Sequence, residues 1–207
     1  MYTPTSFKVD DIDTAHAFMR EFSFATVCSQ TPEGVSATHL PFTIDSTRGL
    51  QGTMLCHLAR ANPLWKSWSG QQEVLVVFTG PHAYISPAWY QKKESVPTWN
   101  YSAVHAYGRP RMVESNEALI TMVRDLVVLY EGHEGSTWDQ RLMEPMLDQL
   151  VGAIVGFEIP IERIETKFKF NQNRSLEDQL GVIEALEGSE LHSKREAGQF
   201  MRKVTGL

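Results

Sequence analysis

The chain has 207 residues, with 19 Lys and Arg against 25 Asp and Glu, a formal net charge of −6 at pH 7. That length accommodates one sizeable domain or a domain with a helical appendage, and the acidic balance argues against a surface coated in positive charge for nucleic acid. The two cysteines, Cys28 and Cys56, sit in apolar strand-like runs; they read as reduced buried thiols, with no disulfide framework and no metal site.

No N-terminal stretch joins a basic start to an apolar core, and no apolar run approaches membrane-spanning length, so the expectation is a soluble cytoplasmic protein. Residues 11–22 predict a first helix, with Ile12, Ala15, Phe18, Met19 and Phe22 on one face and Asp10 or Asp11 as its cap. Strand signals follow at 24–29, a turn at 31–34, a returning strand at 35–44 and another turn at 45–49. A third strand is expected at 50–56, a short helix at Asn62, a fourth strand at 73–78, a turn at Thr79-Gly80-Pro81 and a fifth strand at 83–85. Residues 98–107 predict a sixth, with Trp99, Tyr101, Ala103, His105 and Tyr107 sharing one side, and 111–114 continue it.

A strongly periodic helix is predicted over 116–130, with Leu119, Met122, Val123, Leu126, Val127 and Tyr130 as its apolar stripe. Another helical stretch starts near Thr137, where Gln140 completes a capping box and Pro145 interrupts or restarts the turns. Two further strands are expected at 154–159 and 164–170, parted by a turn at Pro160. Ser175 with Asp178 opens a helix to about 186, and a last helix covers 191–204. Hairpin-like succession of the strands predicts a mainly β fold, a small antiparallel barrel with flanking helices. Strands two to five lack the intervening helices that parallel pairing requires. Neither a glycine-rich dinucleotide fingerprint nor a Walker loop is present.

Four stretches carry candidate chemistry. In His57-Leu58-Ala59-Arg60-Ala61-Asn62-Pro63 a strand runs into a helix start, with Asn62 as N-cap and Pro63 as first helical residue. The amides of Leu64 and Trp65, with Arg60 and His57, could there receive a phosphate; the alternative is a plain helix cap with Arg60 in a surface ion pair. In Thr38-His39-Leu40-Pro41 a proline marks a strand edge, whose free backbone groups can read a flat heterocycle; the alternative is a satisfied histidine near a barrel rim. Prolines and aromatics crowd 86–101, including Trp89, Tyr90, Trp99 and Tyr101 beside Asn100, as a ligand-stacking or interface loop would. In 167–174, Lys167 and Lys169 face one way and Phe168 and Phe170 the other. Such lysines usually mark a solvated edge, while Asn171, Gln172 and Asn173 could supply amide contacts to a ligand.

Taken together in this order, His57 to Pro63, Phe78 to Pro87, Val96 to Tyr101 and Lys167 to Asn173 resemble the PaiB family over nearly the whole chain. The resemblance implies an FMN-binding split β-barrel, related in fold to pyridoxamine phosphate oxidases and flavin reductases, over residues 1–172, with 173–207 as a C-terminal helical extension. It implies a homodimer with flavin at the subunit interface and a role as a transcriptional regulator. One departure is the ending Lys-Phe-Lys-Phe-Asn-Gln-Asn, where a Lys-Leu-Ser-Gln-Asn type is expected; Gln172 and Asn173 are kept. On this resemblance the cofactor site comprises Thr38, His39, Leu40, Pro41, His57, Leu58, Ala59, Arg60, Asn62, Trp99, Asn100, Tyr101, Lys167, Gln172 and Asn173.

The competing reading is an FMN-dependent oxidoreductase acting on a small molecule, since flavin itself performs the electron chemistry. His39, His82 and His105 are available proton donors, but no pairing among them follows from sequence. A haem-binding barrel of the same fold is a third class. DNA remains without a recognisable helix-turn-helix. The last helix sets Lys194, Arg195, Arg202 and Lys203 against Glu196, which reads as the solvated face of an amphipathic helix.

Overall fold

Asp11 starts the first helix by accepting the Thr14 amide at 2.8 Å and the Thr14 hydroxyl at 2.5 Å on one carboxylate oxygen. Those same bonds hold the Asp11 carboxyl below the usual carboxylate range. The helix, α1 (Ile12–Glu21), turns Ala15, Phe18 and Met19 inward. A computed structural model describes residues 1–68, 71–92, 94–132 and 137–207. Its strands are β1 (Lys8–Val9), β2 (Phe24–Thr31), β3 (Gly34–Pro41), β4 (Thr43–Asp45), β5 (Thr53–Ala59), β6 (Val74–Ile85), β7 (Thr98–Gly108), β8 (Arg111–Met112) and β9 (Ile154–Lys169). The remaining helices are α2 (Asn116–Glu131), α3 (Leu147–Gly152), α4 (Leu176–Glu187) and α5 (His192–Thr205).

The strands follow the order β3-β2-β6-β7-β9-β5-β4, with β1 and β8 also pairing with β9. The sheet is antiparallel in each register resolved, including β2 with β3, β4 with β5, and β5 with β9. The path is open, and β3 stands at one end of it.

Local chemistry explains most of the expected elements. Ser115 caps α2 through the Ala118 amide, and Ser175 caps α4 through the Asp178 amide, each at 3.3 Å. The turn between β2 and β3 is held by the Thr31 hydroxyl on the Gly34 carbonyl at 2.9 Å. Helix α5 ends at Gly206 with φ 74°, a left-handed position that suits glycine.

Several boundaries differ from expectation. The turn predicted at Thr79-Gly80-Pro81 does not form; β6 runs straight through it. A Cβ on Gly80 would lie 2.7 Å from the Phe18 ring and from Ser102 Oγ, so this glycine serves close packing instead of chain reversal. The turn predicted at Pro160 is likewise absent. Pro160 pairs with Thr53 inside β9, and the next amide, Ile161, donates to the Gly52 carbonyl at 3.0 Å. The strand expected over 35–44 breaks at buried Phe42, whose amide bonds the Ser23 carbonyl at 2.9 Å. The third strand starts at Thr53, later than expected, and Leu50 lies wholly exposed. After Thr137 the chain makes two 3-10 turns, Gln140–Leu142 and Glu144–Met146, before α3. The Gln140 side chain of the expected capping box lies outside the described residues.

Contacts divide the chain into two units: Met1–Phe18, Phe78–His105 and Glu165–Leu207 form one, and Met19–Val77 with Ala106–Ile164 the other. The first unit is centred on Phe18, Phe168, Phe170 and Phe200, whose rings pack at 5.1–6.0 Å. In the second unit Trp68 meets Phe157 edge-on at 4.9 Å. There Leu119, Met122 and Val151 also cluster with Leu55, Val113, Ile120 and Ile154.

Candidate functional site

In the second unit the sequence builds a short wall after β5. Asn62 accepts the Leu64 amide on its side-chain oxygen at 3.0 Å, and Pro63 opens the 3-10 turn Pro63–Ser67. The Ser67 hydroxyl donates to the Leu64 carbonyl at 2.7 Å. Trp68 then anchors the turn, buried, with its indole N–H on Ser29 Oγ at 3.2 Å. The cap uses one of the two amides expected to face an anion, because Leu64 N–H is already bonded to Asn62.

Opposite this wall runs β3. Its Ser36 and Thr38 are half-buried while Val35, Ala37 and His39 are exposed, the alternation of a one-sided strand. Thr38 and Asn62 meet: the Asn62 amide donates to Thr38 Oγ1 at 3.3 Å. Beside them lies a cavity of about 580 Å³ lined by residues that include Ser36, Asn62, Leu64, Lys66 and Ser67. That volume falls within the range of small-molecule sites, roughly 300–1,000 Å³. Among the described residues, the edge of β3 turned away from β2 carries no strand partner. Residues 38–41, the stretch that Pro41 marked in the sequence, lie on this end strand.

Other expected site residues are placed differently. His39 points away from Thr38 and meets the exposed Phe24 ring at 6.3 Å. Leu40 and Leu58 are buried in the core, and Ala59 is exposed. Arg60 turns from the cavity onto the start of β9: Nε donates to the Gly152 carbonyl at 3.0 Å and Nη2 to the Ile154 carbonyl at 2.9 Å. Its backbone amide bonds the Ala153 carbonyl, and its own carbonyl accepts the Trp65 indole N–H. Arg60 therefore ties the β5 end to the α3–β9 junction.

His57 pairs in register with Gly156. Directly paired residues share a sheet face, and a Cβ on Gly156 would meet Leu119 Cδ1 and the Met122 side chain. His57 thus lies on the α2 face, and its buried Nδ1 meets no partner among the described residues. Burial holds this imidazole below its ordinary value, as burial and the N-terminal charge do for His105. A histidine kept neutral in the fold takes its proton more readily once unfolded. Its stabilising contribution is therefore whole above about pH 6.5 and is lost as pH falls below that value. We expect the melting temperature to decline between about pH 7 and pH 5, with a shallower decline in His57→Gln. Identical pH profiles for the two proteins in differential scanning fluorimetry would refute the assignment.

The first unit holds the rest of the expected set. Trp99 is 54 % exposed and flanked by His82 at 5.9 Å and by Tyr84 at 6.2 Å. Tyr101 faces the Lys167 ammonium at 5.1 Å. Lys167 is only 6 % exposed and donates to the Tyr2 carbonyl at 3.0 Å, so it is not the solvated edge that its spacing suggested. Lys169 donates to Thr98 Oγ1 and to the Trp99 carbonyl, and burial together with Lys167 lowers its pKa. Asn100 is fully buried on the opposite side of β7, its Nδ2 3.6 Å from Met201 Sδ. Gln172 spends its amide on the chain itself, accepting the Phe170 amide and donating to the Phe168 carbonyl. Asn171 adopts φ 62° and donates to the Tyr90 hydroxyl at 2.8 Å, while Asn173 is exposed.

Ser36 and Lys66 line the cavity but are outside the set expected from the sequence. Their signals were short-range: Ser36 precedes Thr38 by two on the same strand face, and Lys66 follows Asn62 by four along the turn. On α5 the cations are engaged: Arg202 pairs with Glu187 at 2.9 Å, Arg195 donates to the Ser189 and Glu190 carbonyls, and Lys194 lies over Trp89. Both cysteines are free, Cys28 half-buried and Cys56 buried, and burial pushes the Cys56 thiol up. Among the described residues, no three or more His, Cys, Asp or Glu gather as a metal site, and no helix is long and apolar enough to cross a membrane.

Comparison with solved structures defines the class first. The flavocytochrome Anf3 from Azotobacter vinelandii superposes with a TM-score of 0.62 at 15 % identity, over 79 % of this chain and 69 % of that one. An FAD- and heme-binding protein from Mycobacterium smegmatis gives 0.61 at 10 % identity, over 84 % and 78 %. At such identities the likeness establishes the fold alone, a split β-barrel with flanking and C-terminal helices. Residues 1–163 match the family model described as "Putative FMN-binding domain". The protease synthase and sporulation protein PAI 2 of Bacillus subtilis is 37 % identical over 206 residues, 97 % of this chain and 96 % of that protein. The chain belongs to the PaiB family of FMN-binding proteins.

Proposed function

We propose that this protein is an FMN-binding regulator that acts as a homodimer with flavin at the subunit interface. The observation that carries the flavin reading is the unpaired edge of β3 beside the cavity at Asn62. Backbone donors and acceptors of 38–41 suit the polar edge of a flavin ring system, and Thr38 is already locked to Asn62. The phosphate end lies toward the turn that Asn62 caps. Arg60, His57, Leu58 and Ala59 shape this end of β5, Arg60 by clamping the carbonyls of Gly152 and Ile154. Leu40 supports the same strand from the core.

Trp99 and Tyr101, with Asn173, form the surface that closes on flavin held by a second copy, and buried Lys167 supports Tyr101 from within. The exposure of Trp99 and Tyr84, at 54 % and 44 %, supports a protein partner there. Asn100 and Gln172 act behind that surface, through packing and through the strand end. Residues 173–207, which include α4 and α5, make a helical extension of a domain spanning 1–172. FMN, when bound, supplies the redox chemistry; the chain orients it and limits its access to water. The regulatory part of the reading rests on the sporulation protein of Bacillus subtilis to which the chain is similar.

The full chain, mixed with FMN and passed over gel filtration, should retain flavin absorbance in a dimer-sized peak. Protein that leaves the column colourless would defeat the flavin reading. Rapid bleaching by NADH or NADPH with turnover of an acceptor would favour the oxidoreductase alternative over a regulator, and a gel shift with genomic fragments tests DNA separately. Trp99→Ala should weaken dimerisation, flavin retention or both. Unchanged sedimentation and unchanged absorbance would remove Trp99 from the interface.

A further inference from the structure

We infer that Lys66, not Arg60, supplies the cation that holds the phosphate monoester of the cofactor, with the Ser36 hydroxyl as a second donor. This inference rests on the flavin reading above. Two cations flank the capped turn, and the structure separates their roles. The Arg60 guanidinium is committed through Nε and Nη2 to carbonyls at the start of β9 and does not line the cavity. Lys66 does line it, is exposed, and makes no ion pair among the described residues; its ammonium lies 6.0 Å from the Trp65 ring.

Ser36 comes from β3 on the cavity's other wall, on the same strand face as Thr38, with no hydrogen bond to its hydroxyl among the described residues. Ser67 already donates to the Leu64 carbonyl, and Thr31 to the Gly34 carbonyl, so neither hydroxyl proton is available without rearrangement. Among the side chains that line the cavity, a dianionic phosphate therefore has one mobile ammonium and one hydroxyl to meet, a point-charge arrangement that suits lysine. Glu33 also lines the cavity and opposes an anion. Its carboxylate moderates the site and gives the inference a second handle, because removing it must act in the opposite direction to removing Lys66.

Riboflavin separates the phosphate from the ring, since it carries the same ring system and no phosphate. We expect Lys66→Ala to weaken FMN binding about tenfold while riboflavin binding stays within about twofold, and Lys66→Arg to restore most of the loss. Glu33→Gln should tighten FMN and leave riboflavin unchanged. Fluorescence titration of both ligands, at low and high salt, reads these ratios, and circular dichroism confirms that each variant is folded. Equal losses for FMN and riboflavin would reduce Lys66 to a packing role and overturn the inference, as would unchanged FMN affinity. Wild-type protein that binds neither ligand would overturn the flavin reading along with it.

Discussion

Trp68→Ala should lower the stability of this protein by about 3–5 kcal/mol, the range for truncating a buried large aromatic. Trp68 is 5 % exposed, packs edge-on against Phe157 at 4.9 Å and donates its indole N–H to Ser29 Oγ at 3.2 Å. Alanine would leave a void against Phe157 and strip Ser29 of a partner inside the core. The effect reaches function because Trp68 directly follows the 3-10 turn that walls the cavity. With its anchor gone, the Asn62–Thr38 and Trp65–Arg60 hydrogen bonds and buried Leu64 would have to hold that wall. Urea denaturation should show an earlier midpoint, and FMN uptake should fall with it. Trp68→Phe keeps most of the buried area but loses the hydrogen bond and part of the ring, so it should cost about 1–2 kcal/mol. A Trp68→Ala midpoint equal to wild type would show that the turn stands without this anchor.

Gly108→Ala should cost about 3 kcal/mol, an unusually large effect for one added methyl. A Cβ at Gly108 would lie 2.2 Å from the Pro160 carbonyl oxygen and 2.9 Å from Ile159 Cγ2. The first obstacle is backbone, so no rotamer change relieves it; the end of β7 or the middle of β9 must move. Displacing β9 near Pro160 disturbs the pairing of Thr53 through Ala59, the strand that leads into the capped turn. Gly152→Ala is the matched control, because nothing lies within 4 Å of its Cβ. Equal thermal midpoints for the two variants would show that β7 and β9 yield more easily than their packing suggests.

Much of the molecule was legible residue by residue, and the reason is range. Asp11, Ser115 and Ser175 cap helices through amides three residues on, and Asn62 with Pro63 sets the turn after β5. Such chemistry is complete within one turn of backbone, so a sequence window contains all of it. The same holds for the stripe of α2, where Leu119, Met122 and Leu126 are buried as the periodicity required.

The failures are equally physical. Gly80-Pro81 and Pro160 carry turn-forming residues inside long strands, and what keeps them extended comes from elsewhere. Phe18 occupies the space a side chain at Gly80 would need, and Pro160 sits opposite Thr53. Lys167 alternates with phenylalanines as a solvated edge would, yet it is buried between the Tyr2 and Tyr101 rings. Arg60 shows the same reach: it stands two residues before the cap, and its guanidinium bonds carbonyls 92 and 94 positions away.

By itself, then, the order of residues determined the antiparallel class, the starts of α1, α2, α4 and α5, the capped turn and the identity of the family, because each depends on neighbours in the chain or on the ordered set of motifs. Which cation faces the cavity, which edge of the sheet is left open and which prolines stay within strands were decided only by the tertiary structure. Those outcomes depend on which distant groups compete for a side chain or for the space around it, and no local pattern encodes that competition.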